Sequence, residues 1–380
     1  MKPEDRIYLD YAAATPLDER IAAAMTEAQT HFANPSSAYA EGRSAREAFE
    51  AAKKRAGMVL GVRADEIVFT SGATESDNLA ILGAVRPHIA AGAHVVTLPT
   101  EHQSVLEPVE QLRREGAKVD FARVDSGGAV DLGNLENQIG DSTILVSIAY
   151  ASSEIGTIQP LTKVGALIAK INKSRAERGS TTPLLLHSDC SAAAGLLPLS
   201  PIRLGVDLLT LNGSKLYGPR AGLLVARRGV APLLQPLLFG GGQQQGMRPG
   251  TEDVASALGL ATALELADQM RVSEVARLTA LRDRLLEGIQ ALSPTYLLNG
   301  SASNRLANNV NITLPGYSGE DLVAHFDALG MAVATGAACA ASREEPSHVL
   351  LAIGRTPAQA QSSLRITLGR QTTVEQTDHF

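Results

Sequence analysis

The chain has 380 residues, 44% hydrophobic and 19% charged, with a net charge of −6; this is enough apolar material for a large core, and it excludes intrinsic disorder, a basic stripe for nucleic acid and a polybasic membrane patch. Trp is absent and aromatics make up only 4%, so base-stacking platforms and aromatic cages are excluded, and no eighteen apolar residues run together as a membrane span. Two cysteines, Cys190 and Cys339, in a chain too large to need a disulfide framework fit a reducing compartment; the start, MKPEDRIYLDYAAATP, has no apolar leader, so a cytoplasmic location is expected.

Runs rich in Val, Ile and Leu predict strands at Glu66–Thr70, His94–Leu98, Lys118–Ala122, Thr143–Tyr150, Pro183–His187, Val206–Leu211 and Gly222–Ala226, alternating with segments of helical period. Continuous apolar strands imply a sheet covered on both faces. Strands alternating with helices imply βαβ units and a mostly parallel sheet, whose ligands bind beyond the C-terminal strand ends. A long helix is predicted from Thr251 to about Leu292, followed by a strand at Asn308–Leu314, a helix at Gly319–Leu329 and a last strand at Ser363–Leu368. No internal repeat or low-complexity tract occurs.

Three segments carry chemistry. TSGATESDNLA, Thr70–Ala80, runs from a strand end into a helix; helix N-terminal N–H groups, the positive dipole end and the small Gly72 make a phosphate cradle, joined by the Thr74 hydroxyl. Taken alone it reads as an ordinary cap, Thr74 with Asp77 three residues on. HSDCSAAAG places Asp189 after an apolar strand, where a buried carboxylate needs a partner such as a protonated pyridine nitrogen, or else caps a helix. TLNGSKLYGPRAG places Lys215 after the next strand, as an imine-forming amine or as a plain surface-turn lysine. Together, a phosphate cradle, a strand-end Asp and a strand-end Lys twenty-six residues later have the order of parts that a pyridoxal 5'-phosphate (PLP) site in an α/β sheet requires.

The motifs YLDYAAATP, NPSS, EIVFTSGATESDNLA, TEH, EIG, KLYGPR, GGGQQQGMRPGT, TGAAC and LRITLGR, spread from Tyr8 to Arg370, resemble those of the cysteine desulfurases and their selenocysteine lyase relatives. The resemblance implies the aminotransferase-like PLP fold type I: an α/β fold whose large domain holds a mostly parallel central sheet, with a smaller α+β domain. It also implies a homodimer that converts L-cysteine to L-alanine and leaves a persulfide on the enzyme for a sulfur-acceptor protein, in iron–sulfur cluster assembly or tRNA thiolation. By the same resemblance, Lys215 is the Schiff-base lysine, Asp189 the pyridinium partner and His102 the ring-stacking histidine that assists proton transfer. Ala73 and Thr74 form the phosphate cradle, with Ser214 and with Thr251 reaching in from the second subunit; Ser153 and Asn212 also stand among the cofactor contacts. Arg365 clamps the substrate carboxylate, a task suited to its planar fork, and Cys339, in a small-residue loop, takes the sulfur. Cys190 takes a place usually held by a small residue and reads as packing. The expected division is a large PLP-binding unit at 16–260 and a small unit of 1–15 plus 261–380 carrying the cysteine loop; no metal is called for.

Several positions depart from the pattern. Ser152-Ser153 replaces Asn-Asn before EIG, Ala192 replaces a Gln, Ser214 a His, Tyr39 the histidine of NPSSxH, and Gln245 an Arg. Losing Asn and Gln deletes donors to the cofactor's ring oxygen. This motivates two alternatives to a desulfurase: a non-catalytic relative that binds partners and, from INKSRAERGSTTPLLLH and the segment around GGGQQQG, a selenocysteine lyase.

Overall fold

The computed structural model describes residues 6–180, 182, 184–336 and 345–380. Along the chain run β1 (Ile7–Tyr8), α1 (Glu19–Ala28), α2 (Ala40–Leu60), β2 (Ile67–Thr70), α3 (Ala73–Val85), β3 (His94–Thr97), α4 (Gln103–Arg114), β4 (Lys118–Phe121), α5 (Leu132–Gln138), β5 (Thr143–Ser147), α6 (Leu161–Glu177) and β6 (Leu185–Asp189). Next come α7 (Pro201–Leu204), β7 (Leu208–Asn212), β8 (Gly222–Ala226), α8 (Val254–Leu292), β9 (Leu297–Leu298), β10 (Asn309–Thr313) and α9 (Gly319–Ala328). The chain closes with β11 (Met331–Ala332), α10 (His348–Ala352), α11 (Pro357–Gln361), β12 (Ser363–Thr367) and α12 (Val374–His379).

A seven-stranded sheet has the order β2-β8-β7-β6-β5-β3-β4. Only β8 runs antiparallel, between β2 and β7, so the other six strands point the same way. The predicted sheet is therefore present, each expected strand lying within about two residues of its place, apart from the shorter β5. Successive side chains enter opposite faces: Ile67, Phe69, Val146, Leu186, Leu223 and Val225 pack with α2, α6 and the first half of α8, whereas Val68, Leu145, Leu185 and Leu224 pack with α3 and α4. Both faces are covered, which is why these strands read as unbroken apolar runs. At the edge, β4 (KVDF) is partly exposed and alternates in character.

The 39-residue α8 begins where Asp253 accepts from Ser256 N, two residues after the expected start. Val254, Ala257, Leu260 and Leu264 join the core of the large sheet, and Leu278, Leu281, Leu285 and Ile289 join a second core with Val310, Ile312, Leu364 and Ile366. That second core lies against the antiparallel sheet β12-β10-β9, to which the N-terminal segment is tied by the Asp10–Thr367 bridge, while β1 pairs in parallel with β11 as a separate two-stranded sheet.

Candidate active site

Five parallel strands deliver residues to one edge of the large sheet. Ala73 and Thr74 follow β2, His102 follows β3, Ser153 follows β5, Asp189 ends β6, and Asn212 ends β7 three residues before Lys215. With Arg365 from β12, all of them line a single cavity of about 320 Å³. The crevice beyond the C-terminal strand ends is where a doubly covered α/β sheet binds ligands.

The Lys215 turn is held by the N-terminal segment. Thr15 N and Oγ1 both donate to Ser214 O at 2.9 Å, and Tyr217 N donates to Thr15 Oγ1 at 2.7 Å. Tyr217 sits in the left-handed region at φ 59°, an unusual conformation for a residue with a Cβ, while its hydroxyl accepts from Arg370 N and its ring lies under the Arg370 guanidinium. Lys215 Nζ donates to the carbonyls of Ala12 at 2.6 Å and Ala13 at 2.5 Å, so it is not a plain surface-turn lysine.

Asp189 Oδ1 accepts from Ser191 N at 2.8 Å. Burial, then the nearby charge of Asp77, pushes its carboxyl up to about 6, while the Ser191 bonds and the charge of His102 pull it back. Such a carboxyl asks for a cationic partner in the cavity. At α3 the expected Thr74–Asp77 cap does not form: the N-cap is Gly72, without a side-chain hydrogen bond, and Thr74 is the helix's second residue. The first N–H groups of α3 are thus left to an anion. Ser191, whose backbone N–H bonds Asp189, also borders the cavity. An uncapped helix start, an amine and a strand-end carboxyl raised by burial, all on one cavity, together fit a phosphate-bearing pyridine aldehyde such as PLP.

Arg365 Nη2 pairs with Asp10 Oδ1 at 2.8 Å and Nη1 donates to Ser153 O at 3.4 Å, while Nε is buried without a hydrogen bond. The remaining expected residues are placed differently. Ser214 does not border the cavity; its hydroxyl donates to Asn212 Oδ1 at 3.0 Å. Thr251 is exposed and also lies off the cavity wall. Cys339 lies outside the described residues. Cys190 is fully buried in the main core, where desolvation keeps its thiol protonated. Among the substituted positions, Ser152, Ser153 and Ala192 all border the cavity, and Ser152 Oγ also accepts from Glu154 N and Ile155 N in a local turn.

Three buried acids escaped the sequence reading as site residues. Glu101 borders the cavity and accepts from Ala149 N at 2.9 Å; burial first, then the charges of Asp189 and Asp77, holds it well above the usual carboxylate range. Glu154 accepts from Ser347 Oγ and is also raised by burial. Asp77, on α3, is fully buried. The available signal was an acid inside an otherwise apolar helix, or directly beside a motif residue, which periodicity alone reads as an exposed position.

The Aminotransferase class-V family model matches residues 7–380. Cysteine desulfurase IscS 1 of Archaeoglobus fulgidus is 39% identical over 375 residues, 98% of this chain and 94% of that protein. Cysteine desulfurase IscS of Pasteurella multocida is 42% identical over 378 residues, 98% of this chain and 90% of that one. Among solved structures, a NifS-like protein superposes with TM-score 0.89 at 33% identity, covering 98% of this chain and 96% of its own. SspA in complex with cysteine gives TM-score 0.80 at 31% identity, covering 95% and 98%. With the fold, the cavity and these relatives in agreement, the chain belongs to the aminotransferase class-V family and, within it, to the cysteine desulfurases.

Proposed function

We propose that this enzyme removes the sulfur of L-cysteine to leave L-alanine, using PLP held by Lys215, Asp189 and the start of α3, and passes the sulfur through Cys339 to an acceptor protein. The observation that carries the reading is the convergence of Ala73, Thr74, His102, Ser153, Asp189, Asn212, Lys215 and Arg365 on one cavity. When bound, PLP supplies an electron sink for the charge left at the substrate Cα. Asp189, once ionised, favours a protonated ring nitrogen, and the α3 N–H groups with Thr74 receive the phosphate. Arg365 holds the substrate carboxylate in its fork; Asp10 fixes that fork from behind. Lys215 would hold the cofactor aldehyde through its amine and, as a free amine beside the substrate, would be the base that takes the Cα proton. The Cys339 thiolate would attack the substrate sulfur, forming the S–S bond as the C–S bond breaks; the C–S electron pair stays with the substrate Cβ, which takes up a proton on the way to alanine.

The two cores, with α8 shared between them, support a large unit at 16–260 and a small one of 1–15 plus 261–380. Thr251 completes the phosphate site of the second subunit of a homodimer, as its exposure allows. No described helix is long and apolar enough to cross a membrane, and we place the enzyme in the cytoplasm.

The test is alanine and sulfide release from L-cysteine by PLP-loaded wild type and Cys339→Ala, with L-selenocysteine in parallel. Release by wild type and its loss in Cys339→Ala are expected. Full turnover by Cys339→Ala, or a large excess of activity on selenocysteine alone, overturns the assignment.

A further inference from the structure

Glu154 takes no part in the chemistry proposed above, yet it is a buried acid on the wall of the cavity, 6% exposed, in the turn after β5. Its backbone is fixed from two sides. Ser152 Oγ accepts from Glu154 N, and Asn311 Nδ2 and Asn309 Nδ2, both on β10, donate to Glu154 O at 3.0 and 3.2 Å. The carboxyl reaches two further segments. Ser347, the N-cap of α10, donates its hydroxyl hydrogen to Glu154 Oε1, while the same hydroxyl oxygen accepts from Leu350 N. Gly336 packs against that carboxyl oxygen as well: a Cβ built on it would lie 2.6 Å from Glu154 Oε1 and 3.2 Å from Ser363 Oγ. Only a residue without a side chain allows so close an approach.

Gly336 and Ser347 stand on either side of Cys339 in the sequence, three residues before it and eight after. Gly336 itself borders the cavity. Three residues span at most about 11 Å, so the place where Gly336 is held limits how far into the cavity the thiol can reach. Attack on a substrate sulfur needs the reacting atoms about 3.5 Å apart, and a displacement of about 1 Å can lower the rate about 10²-fold. We infer that Glu154 is a positioning residue for Cys339: one carboxyl, fixed against β10, ties both flanks of the cysteine segment to the cavity rim, Gly336 by contact and Ser347 by a hydrogen bond. A buried carboxyl is costly where packing alone is needed, whereas a tie to a hydroxyl needs an oxygen acceptor. The inference rests on the proposed role of Cys339 as the sulfur-accepting residue.

The test uses the PLP-loaded full chain and separates sulfur transfer from the chemistry at Cα. Alanine formation from L-cysteine needs the thiol. Exchange of the Cα hydrogen of L-alanine in D2O, followed by NMR, needs only the cofactor, Lys215 and Arg365, and titration of the visible band reports PLP binding. Glu154→Ala and Ser347→Ala are expected to lower kcat for alanine formation about 10²-fold, with KM, PLP binding and L-alanine exchange changed by no more than about threefold. Glu154→Gln keeps an oxygen that accepts from Ser347 and stays within about threefold of wild type in every assay. The double variant Glu154→Ala/Ser347→Ala loses no more than the weaker single one, because both cut the same tie. If Glu154→Ala does not fold, Ser347→Ala with Glu154→Gln carries the same comparison. Unchanged kcat in Ser347→Ala, or loss of L-alanine exchange in step with alanine formation, overturns the inference. A wild type that exchanges the Cα hydrogen but forms no alanine from L-cysteine overturns the desulfurase reading instead, so the two failures are separable.

Discussion

Asp189 is a residue whose burial costs stability in the cofactor-free chain, and the cost has a definite pH window. Its carboxyl is pushed from 3.8 to about 6, first by burial and then by Asp77. A shift of roughly two units corresponds to about 3 kcal/mol. Below pH 3.8 the group is protonated folded or unfolded and costs nothing. Between 3.8 and 6 the unfolded chain releases the proton that the folded chain retains, so stability falls as pH rises, and above 6 the full cost is present. Asp189→Asn removes the ionisation and keeps an oxygen to accept from Ser191 N. For 380 residues an unfolding entropy of about 0.8 kcal/mol per K turns 3 kcal/mol into about 4 °C. Thermal unfolding of cofactor-free wild type and Asp189→Asn is therefore expected to show nearly equal Tm at pH 4 and the variant higher by about 4 °C at pH 7.5. With PLP the order is expected to reverse, because the variant lacks the proposed partner of the ring nitrogen and gains less Tm from the cofactor. A Tm difference independent of pH, or a variant less stable at pH 7.5 without PLP, refutes the reasoning.

Lys215→Ala removes the only lysine bordering the cavity among the described residues, so PLP addition is expected to give no visible lysine-bound band and L-cysteine no alanine; a persistent band at wild-type intensity counts against the assignment. Arg365→Lys keeps a charge but loses the fork, and kcat/KM for L-cysteine is expected to fall about 10 to 100-fold, mainly through KM, in steady-state assays. Gly222→Ala places a Cβ 2.3 Å from Gly72 C and from Thr70 Oγ1, both at the turn into α3. That turn must shift, so PLP titration is expected to show weaker binding while the circular dichroism stays native.

Much of the fold was legible in the sequence because its strands are buried on both faces. Runs such as TILVS and GLLVA are apolar on both faces over most of their length, so β5 and β8 stand out, and the period of α8 is long enough to be unmistakable. Asp189 and Lys215 were legible for a related reason: in a parallel sheet, a polar residue ending an apolar strand sits on the ligand edge whatever the tertiary detail. Sequence could not decide whether Thr74 caps α3, because Thr-x-x-Asp reads the same whether Asp77 turns back to the helix start or inward to Ser104. Nor could it show that Glu101 is buried, that Asp10 backs Arg365 from 355 residues away, or that Ser214 turns to Asn212 instead of the cavity. Periodicity assigns a residue to a face of its own element; the partner that a buried polar group finds on another element is set by how the elements pack, and only the tertiary structure decides it.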